Sequence, residues 1–333
     1  MSKEESVISK AKFAEAELLT LIDRMLRDLP DGNGGRAKIR QVTQRQERNL
    51  GGYDAVATSV QPFYIQAKTS SFHPGSSTSK IISSRNAIPV NSNPGAFAFD
   101  LRKHTGTDEP LQHNALYWLS LRSTAAYVCP TFLSEYELEN RLEKALDLKR
   151  HEIWHYRDDV YTEAGNSQSQ RFQALHFHGL LTIIPHRLVA TYRHRYSYDN
   201  SATPSIVFHS DPENVGEARS FTSFVETLSS QSQIPDKEFS RISRPVSFER
   251  LKETQLSWIE EAFDPATQGL NIKASDVSES LSSAFLSRTT NFQNTSNALK
   301  YLQKLDGRDV SVFFGALLKK KYSIFQHYLI RLD

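Results

Sequence analysis

Two short apolar segments carry the polar side chains whose types and spacing best fit a chemical role. Residues 53–57 contain Asp54, and residues 62–68 end with Gln66 and Lys68. Both segments are rich in β-branched, aromatic and small apolar residues, which predicts adjacent strands of a hairpin. Because side chains alternate along a strand, we expect Gln66 and Lys68 to share a face. An acid, an oxygen ligand and a lysine so arranged fit a divalent metal beside an attacked phosphodiester.

This D…QxK pattern resembles the PD-(D/E)XK nuclease superfamily, which includes many restriction endonucleases. The resemblance is to its Mrr-like branch in particular, in which glutamine replaces the middle acid, and it extends to about residue 135. It implies a DNA endonuclease that depends on Mg²⁺ or Mn²⁺. It also implies a place in a prokaryotic restriction or anti-phage defence system, where a partner protein can take part.

The resemblance implies a core of helix, three antiparallel strands, helix and strand, and the sequence offers these elements in that order. We predict a first helix over 7–29, a first strand over 37–47, the hairpin, a second helix over 111–121 and a buried strand over 125–130. The stretch from residue 68 to about residue 94 is expected to be irregular. The predicted fold class is therefore α/β, with a restriction-endonuclease-like αβββαβ core at 1–135. Residues 136–333 are predicted to form an α+β accessory region that recognises substrate or partner.

Two glutamates are further candidates for the site. Glu15 falls on the apolar stripe of the first helix, where a carboxylate needs a partner. The resemblance implies that this partner is the metal centre; alternatively, Glu15 lies in the first turns and favours the helix dipole. Glu47 precedes the turn to Asp54 and is either a metal ligand or a solvated edge residue. As a ligand it would supply charge that Gln66 lacks, so the predicted ligands are Asp54, Gln66 and Glu47.

The predicted second helix begins with a polar and aromatic group that includes Gln112, His113, Asn114 and Tyr117. Some nucleases of the superfamily carry a Q-x-x-x-Y signature on the corresponding helix, but here the tyrosine arrives one residue late. The alternative is that Gln112 and Asn114 are only helix-start and capping residues.

A different resemblance comes from the second half of the chain. Residues 175–181 read as a strand with His176 and His178 on one face, and Tyr301 with Lys304 forms a Y-x-x-K motif on a predicted helix. This pattern resembles the HUH endonucleases, which nick single-stranded DNA through a covalent tyrosine. More than a hundred residues separate the two motifs, and residues 116–121, predicted to be helical, would have to form a strand. Structural Zn²⁺ binding or ordinary hydrogen bonding are further explanations of the histidines. A third class is a nuclease fold that has lost catalysis and serves as a binding module.

Composition sets the remaining bounds. At 333 residues the chain is long enough for two domains, and its net charge of +2 means that contact with DNA depends on local basic clusters. Five basic residues from Arg36 to Arg48 flank the proposed site, and a second cluster comprises Lys319, Lys320, Lys321 and Arg331. For the second cluster, a solvated face is the favoured alternative to phosphate binding.

Localisation follows from cysteine usage and hydropathy. The single cysteine, Cys129, excludes an intrachain disulfide, which favours a reducing cytoplasm. There is no signal-peptide pattern and no apolar run long enough to span a membrane, so we expect no membrane association. The sequence is compatible with an oligomer.

Overall fold

The computed structural model describes residues 7–28, 37–41, 57–90, 92–101, 112–150, 179–190, 194–209, 211–230, 245–267, 269–285 and 291–332. Two six-stranded sheets and nine helices are formed by these residues, which confirms the mixed α/β class. The strands are β1 (Ser9–Lys10), β2 (Ala37–Gln41), β3 (Ala57–Ala67), β4 (Ser71–Pro74), β5 (Gly95–Asp100), β6 (Thr124–Pro130), β7 (Leu180–Ile183), β8 (Arg195–Tyr198), β9 (Ser205–Phe208), β10 (Glu213–Glu217), β11 (Arg219–Ser220) and β12 (Phe325–Leu332). The helices are α1 (Glu15–Asp28), α2 (Lys80–Asn86), α3 (Gln112–Ser120), α4 (Glu135–Arg150), α5 (Phe221–Ser230), α6 (Phe248–Ala262), α7 (Ala274–Ala284), α8 (Thr295–Gln303) and α9 (Gly307–Tyr322).

One sheet has the order β11-β7-β6-β3-β12-β2 and carries the QxK segment on β3. Strands β3 and β6 pair in parallel, and their residues are almost all buried, as expected for inner strands covered on both faces. Parallel neighbours require a crossover connection, and this one includes α3. The predicted order of QxK strand, helix and buried strand is therefore present.

The other sheet has the order β1-β4-β5-β8-β9-β10. The side chains of its strands alternate between the two faces of the sheet. One face is aromatic and joins the main core through residues such as Phe97, Phe99, Tyr196 and Phe208. The opposite face is smaller and more polar, and α2 covers its alanines with Ile81 and Ile82. Each sheet contains strands from both sides of residue 135. The predicted division of the chain into two domains at this residue stays a prediction.

The first helix is shorter than predicted. It begins at Glu15, not near residue 7, because the backbone N–H of Ala14 donates to the side chain of Glu17 at 2.7 Å and thereby caps the helix. Residues 9–10 instead pair with β4 as an edge strand. The apolar stripe is otherwise as expected, since Leu18 and Ile22 are fully buried.

The predicted hairpin is wrong. Residues 57–67 form one continuous strand, and its first part includes the positions expected to turn. The reason is a partner that local reasoning could not see: β12, from the end of the chain, pairs with β3 along nearly its whole length. The ten residues of strand from Ala57 to Gln66 span about 30 Å. Asp54 itself lies outside the described residues.

The segment after Lys68 is more regular than predicted. It contains strand β4 and helix α2, whose first turn is capped by Ser79 accepting a hydrogen bond from the backbone N–H of Ile82. Helix α3 and strand β6 fall close to their predicted places, and Tyr301 lies on a helix, α8, as predicted. No helix within the described ranges has both the length and the apolar character needed to cross a bilayer.

Candidate active site at the end of strand β3

The amide of Gln66 is held in one orientation. Its Nε2 donates to Oε1 of Gln112 at 3.0 Å and to the backbone carbonyl of Tyr322 at 3.1 Å. An amide nitrogen donates two hydrogen bonds, so these two acceptors account for both protons. The other atom, Oε1, is buried and accepts no hydrogen bond from any described residue. Gln66 therefore presents an unpartnered oxygen in an otherwise buried setting.

Lys68 lies just beyond the end of β3 and is almost completely buried. Its backbone N–H continues the pairing with β6 by donating to the carbonyl of Val128 at 2.9 Å. Its ammonium donates to Oε1 of Glu15 at 3.4 Å, and the exposed fractions of the two side chains are 3% and 38%. A buried ammonium requires such a partner, because desolvation disfavours an isolated charge.

Glu15 is the first residue of α1, and the structure brings it to the end of β3. Glu15 lies in the first turn of the helix, as one interpretation of the sequence expects, and the contact with a metal centre that the other interpretation expects stays a prediction. The described partner is Lys68, and more than a third of the side chain remains open to solvent.

Behind Gln66 lies a buried pair of aromatic residues. Tyr127 of β6 is the register partner of Gln66, and its hydroxyl is 2.9 Å from Nδ1 of His113 on α3. Since Nε2 of His113 lies 2.8 Å from the carbonyl of Arg187, which can only accept, Nε2 carries the proton and Nδ1 accepts from Tyr127. Burial lowers the pKa of His113 to about 4, and the charge of nearby Lys68 acts in the same direction. Burial also raises the pKa of Tyr127. Both groups are therefore neutral near pH 7.

Three polar residues of α3, Gln112, Asn114 and Tyr117, make different contacts. Gln112 bonds to Gln66, whereas Asn114 donates to the carbonyl of Val189 at 3.0 Å and accepts from its N–H at 2.9 Å. Tyr117 lines a shallow surface pocket together with Arg122. The interpretation of Asn114 and Gln112 as mere helix-start residues is thus incomplete for Gln112. Tyr127 was missed by sequence reasoning, because an aromatic residue in a buried strand carries no signal of its own.

The predicted ligands Asp54 and Glu47 lie outside the described residues, and their roles stay predictions. Within the part of the chain that is described, no three His, Cys, Asp or Glu side chains cluster closely enough to hold a metal ion. Gln66 and Glu15 are the oxygen-bearing site residues whose positions are known.

The residues of the HUH pattern are distributed differently. His176 and His178 lie outside the described residues, while Tyr301 lies on α8 as predicted, with its ring 5.4 Å from that of Phe292. Residues 112–120 form helix α3, so the strand that an HUH arrangement needs at 116–121 is not formed.

The second basic cluster is largely neutralised by its own neighbours. Lys320 pairs with Glu279 at 2.7 Å, Lys321 pairs with Asp276, and Lys319 lies 5.6 Å from the ring centre of Phe325. These contacts favour the interpretation of a solvated, intramolecularly paired face over a phosphate-binding patch.

The chain matches no protein-family model, no curated protein and no solved structure.

Proposed function

We propose that the protein is a Mg²⁺- or Mn²⁺-dependent DNA endonuclease whose active site lies at the end of β3. The observation that carries this proposal is a set of three groups at the end of β3: the oxygen of Gln66, which is buried and accepts no described hydrogen bond, and the ion pair between the buried ammonium of Lys68 and the partly exposed carboxylate of Glu15. Their sequence neighbourhood supplies Asp54 and Glu47 as further acids.

The donor set fits a hard divalent cation. Mg²⁺ and Mn²⁺ prefer oxygen ligands, and the site offers an amide oxygen and carboxylates with no sulfur or imidazole needed. Gln66, Asp54 and Glu47 would hold the ion, and buried Oε1 of Gln66 would gain the partner it lacks. When bound, the ion would supply positive charge at the phosphate and lower the pKa of a coordinated water.

The protein's own side chains would then divide the work. Lys68 would donate hydrogen bonds to a phosphate oxygen or orient the attacking water, where its charge stabilises the transition state. Glu15 would hold the ammonium in place, because its carboxylate is the described partner of Lys68. His113 and Tyr127 are neutral and hydrogen-bonded to each other, so they would form a rigid floor without taking or giving a proton.

A place in a cytoplasmic restriction or anti-phage defence system, with residues 136–333 contacting substrate or a partner protein, remains part of the same proposal. It is supported by the sequence resemblance alone.

The test is nicking of supercoiled plasmid DNA by the full chain with Mg²⁺, with Mn²⁺ and with EDTA. Wild type should nick only with the metals, and folded Asp54→Ala should be inactive. Lys320→Ala is the matched control, because it removes a paired lysine distant in sequence and role from the site. Nicking by Asp54→Ala at the wild-type rate would contradict the proposed site. DNA binding by wild type without any metal-dependent nicking would instead identify the fold as a binding module.

A further inference from the structure

The orientation of the Gln66 oxygen depends on residues that contact the other side of the Gln66 amide. An amide group can point either its oxygen or its NH₂ group into a site, and only the oxygen can be a ligand. In this chain the choice is made by two acceptors on the opposite side, Gln112 and the carbonyl of Tyr322.

The Tyr322 acceptor is supplied by the end of a helix. Tyr322 is the last residue of α9, where backbone carbonyls have no intrahelical donor and are available to other groups. Its position is fixed from the other side, because its hydroxyl accepts from the N–H of Asn271 and donates to the carbonyl of Asn271, both at 2.9 Å. Because the Tyr322 acceptor is a backbone carbonyl, no side-chain substitution removes it.

The Gln112 acceptor comes from a side chain at the first residue of α3. This side chain is only partly buried, and its described hydrogen bond to another side chain is the one to Gln66. We propose that Gln112 is a positioning residue, which aims the Gln66 oxygen at the divalent cation and thereby sets the affinity of the site for that cation. This inference rests on the proposed function, since it assigns Gln66 as a ligand.

The physical expectation is a loss of metal affinity without loss of the fold. Replacing Gln112 with leucine removes one of two acceptors, so the amide of Gln66 is free to rotate away from the productive orientation. Residues that orient a metal ligand typically change affinity by about 10-fold to 100-fold when removed. Gln112→Glu retains an oxygen acceptor for Nε2 of Gln66 and should therefore stay close to wild type.

The experiment is titration of the full-length protein with Mn²⁺ alone, without DNA, followed by electron paramagnetic resonance of the free ion. The variants are Gln66→Ala, Gln112→Leu and Gln112→Glu, with Asn114→Ala as the matched control. Asn114 lies on the same helix and makes two long-range hydrogen bonds, but both go to Val189. Thermal unfolding establishes that each variant is folded.

Each outcome is decisive. Weakening of Mn²⁺ binding by about 10-fold or more in Gln112→Leu, with Gln112→Glu and Asn114→Ala near wild type, is the expected result. Wild-type affinity in Gln112→Leu together with weak binding in Gln66→Ala would overturn the positioning role and leave the proposed function standing. Equal binding by wild type and Gln66→Ala, or no binding by wild type, would overturn both.

Discussion

Two ion pairs of this molecule, Arg85 with Asp199 and Lys68 with Glu15, differ in how completely their side chains are buried. Arg85 of α2 pairs with Asp199, which follows strand β8. The distance from Nη2 of Arg85 to Oδ2 of Asp199 is 2.8 Å, and the side chains are 0% and 4% exposed. Arg85 also donates to Ser197 and to the carbonyl of Ser205, and Asp199 accepts from the N–H of Ser201 and Ser205. That pair is closed.

The pair of Lys68 and Glu15 is longer, at 3.4 Å, and its carboxylate is partly open to solvent. Two residues before Lys68 in the chain is Gln66, whose Oε1 is buried and accepts no hydrogen bond from any described residue. A closed pair whose two side chains are both buried serves stability and specificity, whereas a partly exposed pair in the neighbourhood of a buried oxygen that accepts no described hydrogen bond is suited to a ligand. The comparison predicts that removing the charge of Lys68 affects DNA cleavage, whereas removing the charge of Arg85 affects folding.

The largest effect is expected for Lys68→Ala. The rate of DNA cleavage at saturating enzyme should fall by about 100-fold to 1000-fold, since the lysine would act on charge that develops in the transition state. DNA affinity should change far less. Single-turnover cleavage and a binding titration on the same duplex measure both quantities, and equal losses would reduce Lys68 to a phosphate anchor.

Arg85→Leu should instead affect folding. Leaving Asp199 buried without its partner is expected to lower the free energy of unfolding by about 3–5 kcal/mol. Urea denaturation measures this change, and the double variant with Asp199→Leu should recover part of it. Cleavage per folded molecule should be unchanged; a selective loss of cleavage with normal stability would mean that the closed pair has a role in the chemistry.

A smaller effect is expected from His113 as the pH falls. Its pKa in the fold, about 4, is below the ordinary value of 6.5, so between these values the unfolded chain binds a proton that the folded chain does not. Stability should therefore decrease as pH falls from about 6.5 to about 4, by up to about 3 kcal/mol from this residue. Urea denaturation at pH 7 and pH 5 gives the slope. His113→Asn should have a shallower slope, and an unchanged slope would contradict the assignment.

The smallest effect is expected for Tyr301→Phe. If the end of β3 performs the chemistry, metal-dependent nicking should stay at the wild-type rate, because the described side-chain contacts of Tyr301 are packing against Phe292 and the neighbouring core. A denaturing gel should show no protein–DNA adduct with either protein. Loss of nicking in Tyr301→Phe but not in Asp54→Ala would favour the HUH interpretation.

The sequence was sufficient for elements that depend on local pattern. Helix α3 and strand β6 follow from the local apolar pattern, and they fall close to their predicted bounds. The sequence also indicated that Gln66, Lys68 and Glu15 belong to one site. In the structure Lys68 pairs with Glu15, and Gln66 forms a hydrogen bond with Gln112.

What the sequence could not provide was long-range pairing. Strand β12 separates β2 from β3 in the sheet, and no local signal in residues 57–67 announces a partner from residues 325–332. The hairpin prediction failed for that reason. Helix α9, which precedes β12, supplies the Tyr322 carbonyl that holds Gln66, a backbone contact that leaves no trace in residue type.

The most direct measurement of the central claim is the anomalous scattering of Mn²⁺ in crystals of the full chain. The account predicts a peak about 2.1 Å from Oε1 of Gln66, with a carboxylate of Asp54 or Glu47 as a second ligand and Lys68 alongside. A peak at any other place, or none at Mn²⁺ concentrations that support DNA cleavage, would contradict it.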